Sequence, residues 1–170
     1  FLWRSYFVLF PYERAKAWNY GYEELATKLS ENPETNFVID NSRIKPPYIL
    51  LAFYMKLDPT TLQNYYDPNL KSVYYTDLTW DPNYKLANFE TRNINWEEDI
   101  YREQILVGDE WAISEAQAKE HFLEKKFEIL SPNKETIFVG YKTNPKNKCD
   151  SINNLNAFCR WRLYSIKDFK

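Results

Sequence analysis

Asn36-Phe37-Val38-Ile39-Asp40 and, shortly after it, Pro46-Pro47-Tyr48-Ile49-Leu50-Leu51-Ala52-Phe53-Tyr54-Met55-Lys56-Leu57 decide the fold class. The first stretch is a short apolar run, read as a buried strand. It gives way at Asp40-Asn41-Ser42-Arg43 to a polar loop of the kind that follows a strand's carboxyl end. Two prolines then open a helix that is apolar on nearly every side and is therefore expected to be buried. Upstream, after Pro11, positions Ala15, Trp18, Tyr22, Leu25 and Leu29 recur in steps of three and four. That spacing predicts one amphipathic helix ending near Asn32-Pro33, despite the cost of Gly21. A helix, a buried strand and a second helix in succession place the chain in the α/β class.

Further along, Asp58-Pro59 stops the second helix and Thr60 is placed to cap a short third one. Strands are expected at Ser72-Val73-Tyr74-Tyr75-Thr76 and Gln104-Ile105-Leu106-Val107-Gly108, with a turn at Trp80-Asp81-Pro82-Asn83. Phe89 to Trp96 reads as extended but alternates imperfectly, and Glu97-Glu98-Asp99 as a helical turn. Ser114 caps a helix through Leu123, with Gln117 set for a capping box. Lys126–Leu130 and Thr136–Tyr141 flank Ser131-Pro132-Asn133-Lys134-Glu135 as a hairpin. The expectation is a single α/β domain in which helices cover a mixed sheet (a Rossmann-like layering), with a C-terminal hairpin and a tail. In that tail Ile152, Leu155, Cys159 and Ile166 share a helical face, although an extended strap fits them equally.

The chain of 170 residues is long enough for one domain with a real core. Twenty-two Lys and Arg against 24 Asp and Glu leave a net charge of −2 and no basic tract. Nucleic acid is therefore not an expected partner, because phosphate binding needs clustered cations. Aromatic residues make up 18 % of the chain, enough to exclude a disordered composition.

The opening Phe1-Leu2-Trp3-Arg4-Ser5-Tyr6-Phe7-Val8-Leu9-Phe10 is apolar and aromatic with one charge, and it does not begin with methionine. It is too short to span a bilayer, which takes about 20 apolar residues. Its Trp, Tyr and Arg suit the belt where a membrane helix meets water. Residues 1–10 are thus expected to end a membrane-proximal segment that continues something larger. Cys149 and Cys159, ten apart, form a disulfide if the compartment is oxidising, and are two free thiols otherwise. With no histidine nearby they are not a zinc site.

Catalytic chemistry is hard to find. His121, the sole histidine, is expected on the solvent face of a helix, and nothing marks a nucleophile for it. Three glycines cannot supply a phosphate loop or a dinucleotide fingerprint, so no cofactor is expected. Glu97-Glu98-Asp99 and Asp109-Glu110 lie close to Trp96, Tyr101 and Trp111. Such a set resembles a saccharide site, or a carboxylate pair for glycoside hydrolysis. Against this, rings more often fill cores and acids more often sit in solvated turns. Asp40, Arg43, Tyr48 and Asp58 surround the first strand–helix crossover, where open sheets collect ligands, though capping and ion pairing are the commoner uses.

Tyr6-Phe7-Val8 with Pro11, and Ala17-Trp18-Asn19-Tyr20-Gly21-Tyr22-Glu23-Glu24-Leu25, are similar to a known junction. It follows the last membrane helix of bacterial polytopic glycosyltransferases of the protein O-mannosyltransferase-like family, which use dolichyl-phosphate-mannose and related donors. The resemblance continues through Phe37–Asp40, Pro47–Tyr54 with Asp58-Pro59, Ile94–Asp99, Ile105–Gly108 and the hairpin, and covers roughly residues 5 to 142. It implies residues 11–143 as an extracytoplasmic α/β domain at the cell membrane and 144–170 as an extension packed on it. The partners it implies are the membrane-embedded part of the same polypeptide and a glycan or protein acceptor. The family's catalytic acid lies in an early loop that has no counterpart here, so no catalytic residue is carried over. Trp80, Trp96 and Asp99 become the candidates for glycan contact. The rival expectations are a stand-alone secreted carbohydrate-binding or envelope module, and a soluble hydrolase built on Glu97-Glu98-Asp99.

Overall fold

The computed structural model describes residues 1–42, 47–61, 83–151 and 157–159. The strand expected at Ser72–Thr76, the turn around Trp80 and the helical face of Ile152, Leu155 and Ile166 lie outside them. A six-stranded mixed sheet has the order β2-β3-β1-β4-β6-β5. Its strands are β1 (Phe37–Ile39), β2 (Tyr84–Leu86), β3 (Phe89–Thr91), β4 (Ile105–Gly108), β5 (Glu124–Leu130) and β6 (Thr136–Lys142). β1 is central and parallel to both neighbours, with Val38 level with Glu90 of β3 and Leu106 of β4. β2 and β6 run against their neighbours, so β1, β3, β4 and β5 all point their carboxyl ends the same way.

The period-two alternation of β1 and β4 sorts side chains onto two faces. Phe37, Ile39, Ile105 and Val107 join Phe89, Tyr22, Leu25, Leu29 and Leu51 in the larger core, under α3 (Tyr22–Glu31) and α4 (Pro47–Tyr54). Val38 and Leu106 pack on the other face with Val139, Tyr141, Ile113 and Ala118, beneath α5 (Glu115–Glu120). The chain is therefore an α/β domain with helices on both sides of a mixed sheet. Ser114 and Gln117 make the reciprocal capping box that starts α5. The hairpin is present as β5 and β6, with Ser131 Oγ accepting from the Glu135 N–H across the loop.

Four local expectations need correcting. The first amphipathic helix begins only at Tyr22, because Gly21 takes a left-handed φ of +89° that breaks the periodic run. A Cβ there would sit 3.0 Å from Ile129 Cγ2, so the bend also needs the missing side chain. α4 is not buried all round: Leu51 and Ala52 face the core, whereas Phe53 is 73 % exposed. One side of this helix meets the sheet, and no described residue covers the other. The next helical turn is capped by Asp58 rather than Thr60, since Asp58 Oδ1 accepts from the Thr60 N–H at 2.9 Å. The extended stretch after Phe89 is a strand only to Thr91, whereas the helical turn expected at Glu97–Asp99 is present, closed by the Asp99 N–H donating to the Asn95 carbonyl at 2.8 Å, and runs on into a 3₁₀ turn at Asp99–Tyr101.

Ahead of α3, residues 2–13 form one helical segment: α1 (Leu2–Arg4), a π-helical stretch Ser5–Leu9, and α2 (Phe10–Glu13). Pro11 has no N–H to give and its ring crowds the preceding turn, which the wider π-turn accommodates. None of residues 1–14 is buried except for partial cover of Phe10. Tyr6 stacks on Phe10 and Phe10 packs against Trp18, so the rings contact one another rather than a core. No helix among the described residues is long and apolar enough to cross a membrane.

The tail carries the disulfide Cys149–Cys159, which links α6 (Pro145–Ser151) to a helical turn at 157–159. Cys149 and Cys159 are both buried. Phe158 stacks on Tyr101, and Lys148 Nζ reaches the carbonyl of Glu120, holding the tail to the second face.

Candidate functional site

At the carboxyl end of β1 the chain turns on Asp40, whose carboxylate accepts from the Ser42 N–H and hydroxyl and from the Ile94 N–H. This last bond ties the end of β1 to the loop leaving β3. Beyond β3, residues 92–103 fold back over the second face and leave a cleft of about 410 Å³ above β3 and the end of β1. Asn41, Asn83, Glu90, Arg92, Asn93, Asn95, Glu98, Asp99 and Arg102 line it. A smaller hollow of about 150 Å³ continues it toward the amino ends of the strands, with Glu90 and Arg102 common to both.

The floor is a locked ion pair. Asp99, 1 % exposed, accepts from Arg92 Nη2 and Nη1 at 2.7 Å each. Gln104 Nε2 fills the remaining position on Oδ1 at 3.0 Å, and the Asn95 N–H that on Oδ2 at 2.8 Å. Burial alone would raise this carboxyl's pKa. The Arg92 hydrogen bonds, the Asn95 N–H and the Gln104 amide outweigh burial and hold it below the ordinary carboxylate range. Arg92 also pairs with Glu90 at 3.2 Å, and Arg102 with Glu98 at 3.1 Å. Both cations of the cleft are thus already matched to acids.

Of the residues singled out by sequence, Asp99 is in the cleft but has no lone pair to offer a ligand. A carboxylate so bonded, with its pKa lowered, is neither a ready proton donor nor a free base. Trp96 leans away from the cleft: its ring stacks on His121 at 5.1 Å and packs against the second core. Trp80 lies outside the described residues. His121 is therefore not the free surface histidine expected. It closes α5 against Trp96, and partial burial and then Lys148 lower its pKa, with Glu120 opposing.

The acids do not all sit in solvated turns either. Asp109 is buried and its Oδ1 accepts from the Trp111 and Ala112 N–H groups, while Trp111 is exposed. Asp40 and Tyr48 both lie by the first crossover, but Tyr48 is taken up stacking on Tyr84 at 3.7 Å. Arg43 lies outside the described residues. Among the described residues no three His, Cys, Asp or Glu side chains come together as a metal site.

Sequence reasoning overlooked Arg92, Asn41, Asn93, Asn95 and Arg102. One signal was available: Asn93-Ile94-Asn95 follows a strand, where alternation puts both amides on one side and Ile94 on the other. Ile94 indeed packs against the second core. No protein-family model, no curated protein and no solved structure matches the chain.

Proposed function

We propose that this chain is a non-catalytic extracytoplasmic domain of a membrane glycosyltransferase that uses a lipid-linked sugar donor. It stands over the membrane-embedded part and covers the active site or binds the acceptor. The observation that carries the reading is the helical segment of residues 2–13, which presents Leu2, Trp3, Tyr6, Phe7, Val8 and Leu9 to the outside with no residue of its own buried. Six such side chains in water are costly, since fully burying one large apolar side chain is worth roughly 1.5–3 kcal/mol. A headgroup–acyl boundary removes that cost and suits Trp and Tyr, while Arg4 reaches to the headgroups. The disulfide supports an oxidising compartment, the outer side of a cytoplasmic membrane among them. Saturation of the Asp99 carboxylate supports a domain that makes no bonds itself.

A stand-alone secreted carbohydrate-binding or envelope module is the second reading. The disulfide and the polar cleft serve it equally well, whereas the bare apolar segment does not. Co-sedimentation with phosphatidylcholine–phosphatidylglycerol vesicles separates the two. The intact chain is expected to pellet with vesicles, and a Phe7→Asp/Val8→Asp variant to bind roughly tenfold or more weakly, given the cost of charge at that depth. A wild-type chain that stays in the supernatant removes the membrane reading. Sugar transfer by the isolated chain from a lipid-linked donor removes the non-catalytic one.

A further inference from the structure

We infer that the cleft above β3 is a binding site for an uncharged, hydroxyl-rich saccharide, with Asn41, Asn93 and Asn95 as its contacts. The inference rests on the proposed function for its biological setting and gives the acceptor-binding role a place in the fold.

The chemistry of the lining selects the ligand. Drug-sized ligands take clefts of ~300–1,000 Å³ that are mostly apolar. At about 410 Å³ this one has the size but the opposite polarity, being built of amides and matched ion pairs. An asparagine side chain offers both an acceptor and two donors, which is what a sugar hydroxyl, itself donor and acceptor, can use. Asn41 is the most telling. It is 6 % exposed and lines the cleft, yet its amide makes no hydrogen bond to any described residue. Its amide atoms are not among the water-excluded polar atoms that lack a partner, so they reach the cleft, where a ligand hydroxyl can take the place of water. Asn93 and Asn95 are exposed at the rim; the Asn95 N–H is fixed by Asp99 and Asn95 Oδ1 accepts from the Glu97 N–H, which leaves its NH₂ donors to a ligand.

Charge excludes the commoner alternative. An anion such as a phosphate would need an unmatched cation, but Arg92 is held by Asp99 and Glu90, and Arg102 by Glu98. Three acids against two arginines leave the lining slightly negative. The ion pairs serve instead as a stiff, neutralised floor that positions the amides. No aromatic ring lines the cleft among the described residues, so stacking adds nothing and affinity is modest.

The test is an amide-resolved NMR titration of the intact chain with mannotriose, cellotriose and maltotriose in parallel, and with inorganic pyrophosphate as the anionic probe. At least one trisaccharide is expected to shift Asn41, Asn93 and Asn95 with a Kd of ~1–10 mM. Asn93→Ala, at an exposed position, should weaken that binding about fivefold with the melting temperature unchanged. Asn41→Leu should abolish it, and its melting curve reports whether the fold survives. Absence of any shift in these residues up to ~50 mM of every trisaccharide overturns the site, as does preferential binding of pyrophosphate. The vesicle assay is independent. Saccharide binding without vesicle binding keeps the cleft and removes the membrane setting, and the reverse result keeps the setting and removes the cleft.

Discussion

Replacing Asp99 by asparagine changes one atom in the floor of the cleft and tests whether the Arg92–Asp99 pair organises this half of the domain. In either amide orientation, an NH₂ group takes the place of an oxygen that now accepts two hydrogen bonds. If it replaces Oδ1, it faces Arg92 Nη2 and Gln104 Nε2; if Oδ2, it faces Arg92 Nη1 and the Asn95 N–H. Two donors are orphaned each way, at ~1–3 kcal/mol apiece when buried. Arg92 keeps Glu90 at 3.2 Å, so the lower part of the range applies. The expected loss is about 3 kcal/mol, or ~6–12 °C in melting temperature for a chain of this size. Asp99→Ala, which strands the guanidinium more completely, should cost ~3–5 kcal/mol. Urea denaturation followed by circular dichroism across a pH series is the assay. Asp99 has a lowered folded-state pKa, so its contribution is complete above the unfolded value of ~3.9 and is lost as pH falls through the folded pKa. The gap between wild type and Asp99→Asn should therefore narrow only below about pH 4. A variant within ~1 kcal/mol of wild type at pH 7, or a gap unchanged down to pH ~3, refutes the reasoning.

Two further outcomes follow from packing and connectivity. Gly140 lies under the Phe127 ring, where an added Cβ would come within 2.3 Å of Cε1, so Gly140→Ala should cost ~1–3 kcal/mol in denaturant unfolding and shift Phe127 resonances. Reducing Cys149–Cys159, which are 10 residues apart, should lower stability by ~2–3 kcal/mol and release the Tyr101–Phe158 stack, read as a change in near-ultraviolet dichroism.

What was legible in the sequence was what depends on neighbours along the chain. Phe37-Val38-Ile39 declared a buried strand because both of its faces are covered, and Ser114 with Gln117 declared a helix start because a capping box is local. The hairpin was legible for the same reason. The site was not, since it is assembled by tertiary pairing: Arg92 meets Asp99 across a folded-back loop, and Asn41 joins them only because β1 lies beside β3. The carboxylates were conspicuous as a cluster, but their role turned on whether a cation from elsewhere would claim them. Gly21 misled in the opposite sense. The helical periodicity held after it, where Tyr22, Leu25 and Leu29 are buried, but not before it, where Trp18 is 68 % exposed and the backbone bends.

The relation between the apolar segment and the cleft follows from chain direction. α3 starts where Gly21 touches Ile129 and Ile137, by the carboxyl end of β5, and finishes where Asn88 Nδ2 donates to the carbonyls of Leu29 and Asn32 at the amino end of β3. A helix that precedes a central parallel strand must run against it, so whatever leads into that helix arrives at the strands' carboxyl end. Asn41 and Asn93 sit at that same end, just past β1 and β3. If residues 2–13 lie in a membrane interface, the mouth of the cleft is turned toward the bilayer and not away from it. Moving the apolar segment to the other end of the sheet would require reversing α3, which the pairing of Asn88 with Leu29 and Asn32 forbids. A fluorophore at Asn93 should accordingly be quenched by a nitroxide-labelled lipid headgroup in vesicle-bound chain, and one at Asn36, before the amino end of β1, should not; equal quenching at both would remove this orientation.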